Sequence, residues 1–473
     1  MASSDPTADQ HRRLAELVAV YPVADELAHR MAAAGHELYL VGGTVRDTLL
    51  HGEAPGDLDF ATSAPPEETE RLVDGWADAV WLTGARFGTV SAHKGGWNLE
   101  VTTFRADVYQ PGSRHPAVTY GTDIEGDLAR RDFTCNAMAV RLPEHRFVDP
   151  FGGLADLAAR VLRTPVDAEI SFGDDPLRMV RLARFAAVLG AEPDDAARKA
   201  ATVMAAQLDG ISRERIRAEL DKLVTAAEPR RGMDLLCDTG LADRFLPELP
   251  ALRMERDPSH HHKDVYAHTM AVVDNCPRED RILRLAALLH DIGKPATREF
   301  HPDGKVTFHH HEVVGARMAR QRLRALTYSN DDVDAVAELV YLHLRFHGYS
   351  DQAWSDSAVR RYVRDAGTRE QLVRLNLLTR ADVTTANKAK ARRLAEAMDD
   401  LEARIARLDA EESIAQIRPP LDGNQIMAHL DLAPGPAVGQ AREMLLEARL
   451  DQGPMSEEEA YRLLDEWAAS EDL

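Results

Sequence analysis

Two parts of this chain carry residues whose types and spacing could do chemistry. The first is 38–63, LYLVGGTVRDTLLHGEAPGDLDFATS. A short apolar run reaches Gly42 and Gly43 and continues into a helix-compatible run, which predicts a strand, a glycine turn and a helix start. Backbone N–H groups at such a turn can approach an anion closely, and the positive helix end favours a phosphate, with Arg46 as a second clamp. In an extended DLDF segment, side-chain alternation puts Asp57 and Asp59 on one face and Leu58 in the core. Two carboxylates about 4 Å apart would repel by roughly 4 kcal/mol at an effective dielectric of about 20. A cation between them relieves that repulsion, and hard oxygen ligands beside a phosphate cradle point to Mg²⁺. Taken singly, a glycine turn before a helix is common and an acidic triplet is often a solvated turn; the order and tight spacing distinguish this stretch.

The second chemistry lies at 260–385. His268 falls on a helix-compatible run, His290 and Asp291 end an apolar helix just before Gly293 and Lys294, and Asp382 follows another helical run. Neutral imidazole with carboxylate suits a divalent transition metal that makes bound water nucleophilic near neutral pH. Lys294 could neutralise a phosphate. Further histidines stand at 260–262, 309–311, 343 and 347, and the HHH runs read equally as ligands or as solvated loops.

The elements that must position these groups change character along the chain. Residues 1–37 predict a helix, and strands and turns dominate 38–165. WNLEVTTFR is the clearest strand, with Glu100, Thr102 and Phe104 placed on one face. Glu100 is either a third carboxylate beside the DxD pair or an exposed strand acid. The segment 105–127, rich in turn residues and without periodicity, predicts a loop. In LARRDFTCNAMAV, Arg130, Arg131 and Asp132 precede a small apolar run read as a helix, with Asp132 as its cap. From about 166 the pattern is helical. Asp175 before Pro176 is a helix-start signal within FGDDPLRMVRLARFAAVLG, and after 386 amphipathic helices are interrupted by a stretch rich in Pro and Gly.

These motifs resemble, in order, the nucleotidyltransferase superfamily that includes DNA polymerase β, and within it the branch of tRNA CCA-adding enzymes and bacterial poly(A) polymerases. The resemblance implies an α+β protein: a polymerase-β-like head of mixed sheet and helices at 1–165, a helical neck at 166–258, an HD domain at 259–385 and a helical, tRNA-binding tail at 386–473. It implies catalysis by Asp57, Asp59 and Glu100, and nucleotide binding by Gly42, Gly43, Arg46 and, in the RRDFTxNA motif, Arg131, Asp132 and Asn136. VDPFGG at 148–153 stands where the family has a hinge, and ISRERIRAELDKL at 211–223 resembles its neck motif. DDPLR stands where the family has EDxxR, whose acid and arginine template the base, here Asp175 and Arg178; Asp174 replaces the usual Glu. Cytosine and adenine each present an amino donor beside a ring-nitrogen acceptor, so one carboxylate–guanidinium pair suits both and rejects uracil and guanine by about 1–3 kcal/mol. The second half resembles HD metal phosphohydrolases, which implies His268, His290, Asp291 and Asp382 as ligands, with His311 and His343 completing a second site.

The implied reaction is metal-dependent addition of CCA to the tRNA 3′ end from CTP and ATP, without a nucleic-acid template. The alternatives are a poly(A) polymerase, an enzyme adding only CC or only A, or an HD phosphohydrolase acting on 2′-phosphates or 2′,3′-cyclic phosphates with an RNA-binding first half. The expected cofactors are Mg²⁺ and a second divalent transition metal in the HD domain. A length of 473 residues allows several domains, and 44% hydrophobic residues can fill their cores. No apolar run would span a bilayer and no signal peptide is evident, so a cytoplasmic protein is expected, as monomer or homodimer. Three dispersed cysteines argue against a disulfide framework. A net charge of -21 disfavours indiscriminate nucleic-acid binding. Basic clusters at 213–217, 230–231, 360–364 and 388–393 are either local RNA-facing fields or solvated helix faces.

Overall fold

The computed structural model describes residues 21–51, 57–82, 84, 88–105, 121, 123–254, 264–302, 306–349, 354–385, 387–412 and 417–471. The chain divides into two compact units, Met1–Phe245 and Leu246–Leu473. The division falls inside the stretch assigned from sequence to the neck.

The first unit is built on a seven-stranded sheet: β1 (Leu38–Val41), β2 (Asp57–Thr62), β3 (Ala79–Trp81), β4 (Thr89–Lys94), β5 (Trp97–Thr103), β6 (Ala139–Leu142) and β7 (Arg146–Val148), in the order β3-β4-β5-β2-β1-β6-β7. Within this sheet β2 and β5 run parallel and the other described pairs are antiparallel. Strand β1 is buried along its whole length, so it reads as an unbroken apolar run rather than an alternating one. Tyr39, Val41, Ala61, Phe104, Leu128 and Ala139 share one core cluster. In β2 the buried Leu58 and Phe60 alternate with Asp57 and Asp59, and each apolar side chain contributes roughly 1.5–3 kcal/mol that fixes which face the acids take.

After the sheet, helices take over. Leu177–Leu189 buries Met179, Val180, Leu182, Ala183 and Ala186. The spacing of three places Arg178, Arg181 and Arg184 along a different stripe of the same helix. Arg213–Val224 packs against it. The second unit is almost wholly helical, with Val265–Asn275, Arg281–Leu289, His311–Ala325, Asn330–Leu342 and Arg369–Asp382 around the histidines. Lys388–Glu412, Gly423–Leu430, Pro436–Gln452 and Glu457–Ser470 follow, two of them opened by capping boxes at Asp422/Gln425 and Ser456/Glu459. No helix among the described residues is long and apolar enough to cross a membrane.

Several expectations are corrected. Phe104 does not share the face of Glu100: β5 ends at Thr103, and Phe104 turns fully into the core beside Tyr39. The helix expected over FTCNAMAV is a single 3₁₀ turn, Thr134–Asn136, followed at once by β6, because Ala139 and Val140 are needed to pair with β1. Asp132 therefore caps no helix. Ile124–Ala129, expected as loop, is a helix capped by Asp123; 106–120 and 122 lie outside the described residues, as do 1–20 and the histidines at 260–262. The FGD of FGDDPLR ends a preceding helix, Ala168–Asp174. The basic run at 360–364 is tied up within the protein: the buried Arg360 donates to the Leu450 carbonyl, and the partly exposed Arg361 and Arg364 pair with Glu447, which fastens Asp356–Ala366 to Pro436–Gln452.

Candidate functional site

In the first unit the site forms where β1 ends. Gly42 has φ +75°, a left-handed backbone that favours glycine, and a Cβ there would lie 3.1 Å from Arg131 Nη1 and 3.7 Å from Asp59 Oδ2. The turn thus passes between a cation and the carboxylate. Thr44 hydroxyl donates to the Asp57 carbonyl at 3.4 Å, tying the helix start to β2. Across the parallel β2–β5 ladder Asp59 faces Glu100 and Asp57 faces Asn98, whose amide donates to Asp57 Oδ1 at 2.9 Å. Burial, then the charge of Glu100, raise the Asp59 carboxyl above its ordinary value; Asp57 adds to this and Arg131 opposes it. The three acids share one sheet face, with Asp59 pushed toward its neutral form, and carboxylate oxygens are the donor type a hard divalent cation takes; they are spread along the two strands and do not form a compact triad.

The glycine turn rests on a connected polar network. Arg46, expected as a phosphate clamp, is buried and spends its guanidinium on Asp47 Oδ1 and Oδ2 at 2.7 Å each and on Asn136 Oδ1 at 2.5 Å. Asn136 in turn donates to Asp132 Oδ1 at 2.9 Å, and Asp132 Oδ2 accepts from Arg181 Nε at 2.8 Å. Burial would raise Asp132, but Arg181, Asn136 and the Phe133 N–H outweigh it and hold the carboxyl low. Arg181 and Arg184 both reach the buried Glu219, and all three of Arg46, Arg181 and Arg184 lie over the Phe185 ring. Asp127, fully buried, holds Arg130 at 3.0 Å and Arg131 at 3.2 Å. Burial pushes the Asp127 carboxyl up, and the two guanidiniums outweigh it. Neither Asp127, Arg181 nor Glu219 was singled out from sequence; an acid at the fourth position before Arg131 on one helical face was the available signal.

Asp175 Oδ1 accepts the Leu177 N–H at 3.2 Å, and Oδ2 accepts Arg215 Nη2 at 2.8 Å. Arg178 donates to Ser171 Oγ at 2.8 Å and to the Arg130 carbonyl at 2.5 Å. Both groups of the expected template pair are therefore held in place, and Arg215, one member of the RERIR run, is a partner the sequence could not single out.

The second unit draws its histidines from separate helices into one buried cluster. His290 Nε2 stands 3.2 Å and His268 Nε2 3.6 Å from Asp291 Oδ2, and His268 Nε2 stands 2.9 Å from Asp382 Oδ1. On the other side of the same carboxylate, His311 Nε2 is 3.4 Å and His343 Nε2 4.0 Å from Asp291 Oδ1. Each imidazole is oriented by its far nitrogen: Nδ1 of His290, His311 and His343 donates to the carbonyls of Ala287, Phe308 and Val340, and His268 Nδ1 meets the Thr384 hydroxyl. That turns Nε2 of the three carbonyl-bound rings toward the Asp291 carboxylate, the orientation a backbone hydrogen bond gives a metal-binding imidazole. Burial and the neighbouring His290 lower His343 to about 3, so it is a neutral imidazole. Burial alone would raise Asp291, but His290, His311 and Lys294 hold it well below the carboxylate range.

Two triads, His268/His290/Asp291 and Asp291/His311/His343, have the compactness to hold an ion each, sharing Asp291. Asp291 Oδ1 and His311 Nε2 are buried without a hydrogen-bond partner. Leaving such groups unsatisfied costs about 1–3 kcal/mol each, and a cation between them satisfies both. Lys294 binds Asp291 Oδ2 at 2.6 Å, so its ammonium serves the ligand carboxylate. Gly293 lets the second triad assemble, since a Cβ there would sit 2.2 Å from the His311 carbonyl. His309 and His310 lie outside the cluster, His310 exposed.

Comparison with known proteins bears on both sites. The family model of the poly A polymerase head domain matches 38–163, that of the probable RNA and SrmB-binding site of polymerase A matches 192–252, and that of the HD domain matches 259–387. The A-adding tRNA nucleotidyltransferase of Deinococcus radiodurans is 35% identical over 439 residues, 91% of this chain and 95% of that protein. A CCA-adding enzyme of a Geobacillus species is 42% identical over 220 residues, which span 46% of this chain and about half (52%) of that relative. Among solved structures, the CCA-adding enzyme of Bacillus stearothermophilus in complex with CTP superposes with a TM-score of 0.71 at 26% identity, over 96% of this chain and 98% of that one.

Proposed function

The chain belongs to the tRNA nucleotidyltransferase family, and from that premise we propose that it builds the CCA end of tRNA from CTP and ATP by nucleotidyl transfer on the sheet face of Asp57, Asp59 and Glu100. The observation that carries this reading is Asp59 set against the Gly42 turn, with Glu100 opposite it across the β2–β5 ladder and Asp57 two residues before it on β2. Enzymes of this family depend on metal ions. We assign Mg²⁺ to Asp57 and Asp59, where it would stabilise charge developing on the transferred phosphoryl group. Glu100, beside Asp59, is placed to accept the proton of the attacking 3′-hydroxyl as its oxygen bonds to the α-phosphate and pyrophosphate leaves. The network through Arg46, Asn136, Asp132 and Arg181 keeps the glycine turn and the Leu177–Leu189 helix in register. Asp175 and Arg178 then offer one acceptor and one donor to the amino and ring-nitrogen edge shared by C and A.

A second reading, addition of the terminal A alone, is favoured by the A-adding enzyme that aligns along nearly the whole chain. Transcribed tRNA ending before the CCA, after one C or after both, offered with CTP and ATP singly and together, separates the two. Full CCA addition extends all three; A-only addition extends just the last. We further infer that the histidine cluster is a divalent transition-metal centre for phosphate-ester hydrolysis, a second activity supported by the unpartnered Asp291 Oδ1 and His311 Nε2. Hydrolysis of 2′-AMP that survives Asp57→Ala and is lost in His290→Ala tests it.

A further inference from the structure

Beside the histidine cluster lies a cavity of about 510 Å³ whose wall includes Asp291, His311, Phe308, Leu344, Lys390 and Arg393. Its size suits a ligand of nucleotide dimensions. Lys294, the cation that the sequence offers for a phosphate, is committed to Asp291. Lys390 and Arg393 are not. They stand three residues apart on Lys388–Glu412, hence on one helical face. On the same helix Arg392 pairs with Glu396, Arg404 with Asp356, and Arg407 with Asp356 and Glu411. No carboxylate among the described residues pairs with Lys390 or Arg393. In a chain of net charge -21, two unpaired cations on the rim of a cavity that also presents unpartnered ligand atoms mark where anionic charge is received.

We propose that this cavity binds a nucleotide-sized phosphate ester, with Lys390 and Arg393 gripping its phosphoryl oxygens and the Phe308 and Leu344 side chains taking the apolar face of the organic group. The inference rests on the hydrolytic reading of the histidine cluster. In that reaction water oxygen bonds to phosphorus, the ester P–O bond breaks, and the departing alcohol carries off the water's proton. Neither basic residue ligates metal; both position the anion, as charge-assisted hydrogen bonds do.

The test compares the wild-type chain, loaded with Mn²⁺, with the Lys390→Ala/Arg393→Ala double variant and with Arg393→Lys. Orthophosphate binding is followed by isothermal titration, metal content by atomic emission, and 2′-AMP hydrolysis by phosphate release. The double variant is expected to bind orthophosphate about tenfold or more weakly and to show a matching rise in KM, with metal content and kcat held and with Arg393→Lys near wild type. An oligoribonucleotide ending in a 2′-phosphate, run beside 2′-AMP, tells an RNA end from a free nucleotide; dependence on the basic pair with either supports the site. Equal orthophosphate affinity in wild type and double variant overturns the clamp while leaving hydrolysis standing. Absence of hydrolysis by the wild type, with orthophosphate binding still dependent on the pair, overturns the hydrolytic reading alone. Both basic side chains are exposed, so their truncation removes no core packing.

Discussion

Asp59 and Asp291 are both withdrawn from water, yet their surroundings push them in opposite directions. Asp59 is half-buried on a sheet face beside other acids and is raised; Asp291 is fully buried among imidazoles and an ammonium and is held far down. The head gathers carboxylates with little counter-charge, so on the proposed reading a cation completes it. The histidine cluster brings its own counter-charges and oriented nitrogens, so its ligands are assembled before any substrate enters.

The sharpest break of this comparison is Asp57→Ala or Asp59→Ala. Each is expected to lower nucleotide incorporation by about a thousandfold or more, the several kcal/mol a metal clamp supplies, while metal bound at the histidine cluster is unchanged. Incorporation kinetics and metal analysis on the same samples check it. Next in size is Asp291→Ala, which strips the buried carboxylate shared by the two triads and leaves the half-buried Lys294 ammonium and the imidazoles without their partner. A loss of roughly 3–5 kcal/mol in unfolding free energy is expected, measured by denaturant titration. Smaller is the effect at the template. Arg178→Ala, and Arg215→Ala through its hold on Asp175, should erode discrimination against UTP and GTP by about tenfold, the value of one good bidentate pair, with Arg215→Lys restoring part of it. Unchanged selectivity in separate-nucleotide assays would remove the template assignment.

The smallest effect has the most telling sign. Because the folded-state value of Asp59 lies above its unfolded one, its ionised form destabilises the metal-free protein; this penalty is absent below the unfolded value and fully present once pH has risen through the folded one. Asp59→Asn should therefore raise the Tm of magnesium-free protein at neutral pH, with the gain shrinking as pH falls into the carboxylate range. Differential scanning calorimetry across that range reads it. A lower Tm at neutral pH would show that Asp59 is stabilised, not strained, where it stands.

Much of this was legible in the residues. The alternation in DLDF placed both acids, because Leu58 and Phe60 leave the strand no other register. The adjacent His290 and Asp291 at the end of an apolar helix marked the second centre. Pattern could not reveal long-range partners. Nothing in 360–364 says that its arginines bind Glu447, and nothing in RERIR distinguishes Arg215 from its neighbours. The same limit hid Asp127 and Glu219, whose burial depends on guanidiniums distant in sequence or on another helical turn. Local preference also misled at FTCNAMAV, where helix-compatible residues are recruited to β6 by pairing with β1. The resemblance singled out His311 from the run, and the close approach that Gly293 permits gives the physical reason that it, and not His309 or His310, reaches Asp291.

The most direct measurement is nucleotide addition to a transcribed tRNA lacking its 3′ end, supplied with CTP, ATP and Mg²⁺ and resolved at single-nucleotide length. The account predicts that C, C and A are added in turn and that synthesis then stops, with no extension by Asp57→Ala. A long A tract, or wild-type extension by Asp57→Ala, would contradict it.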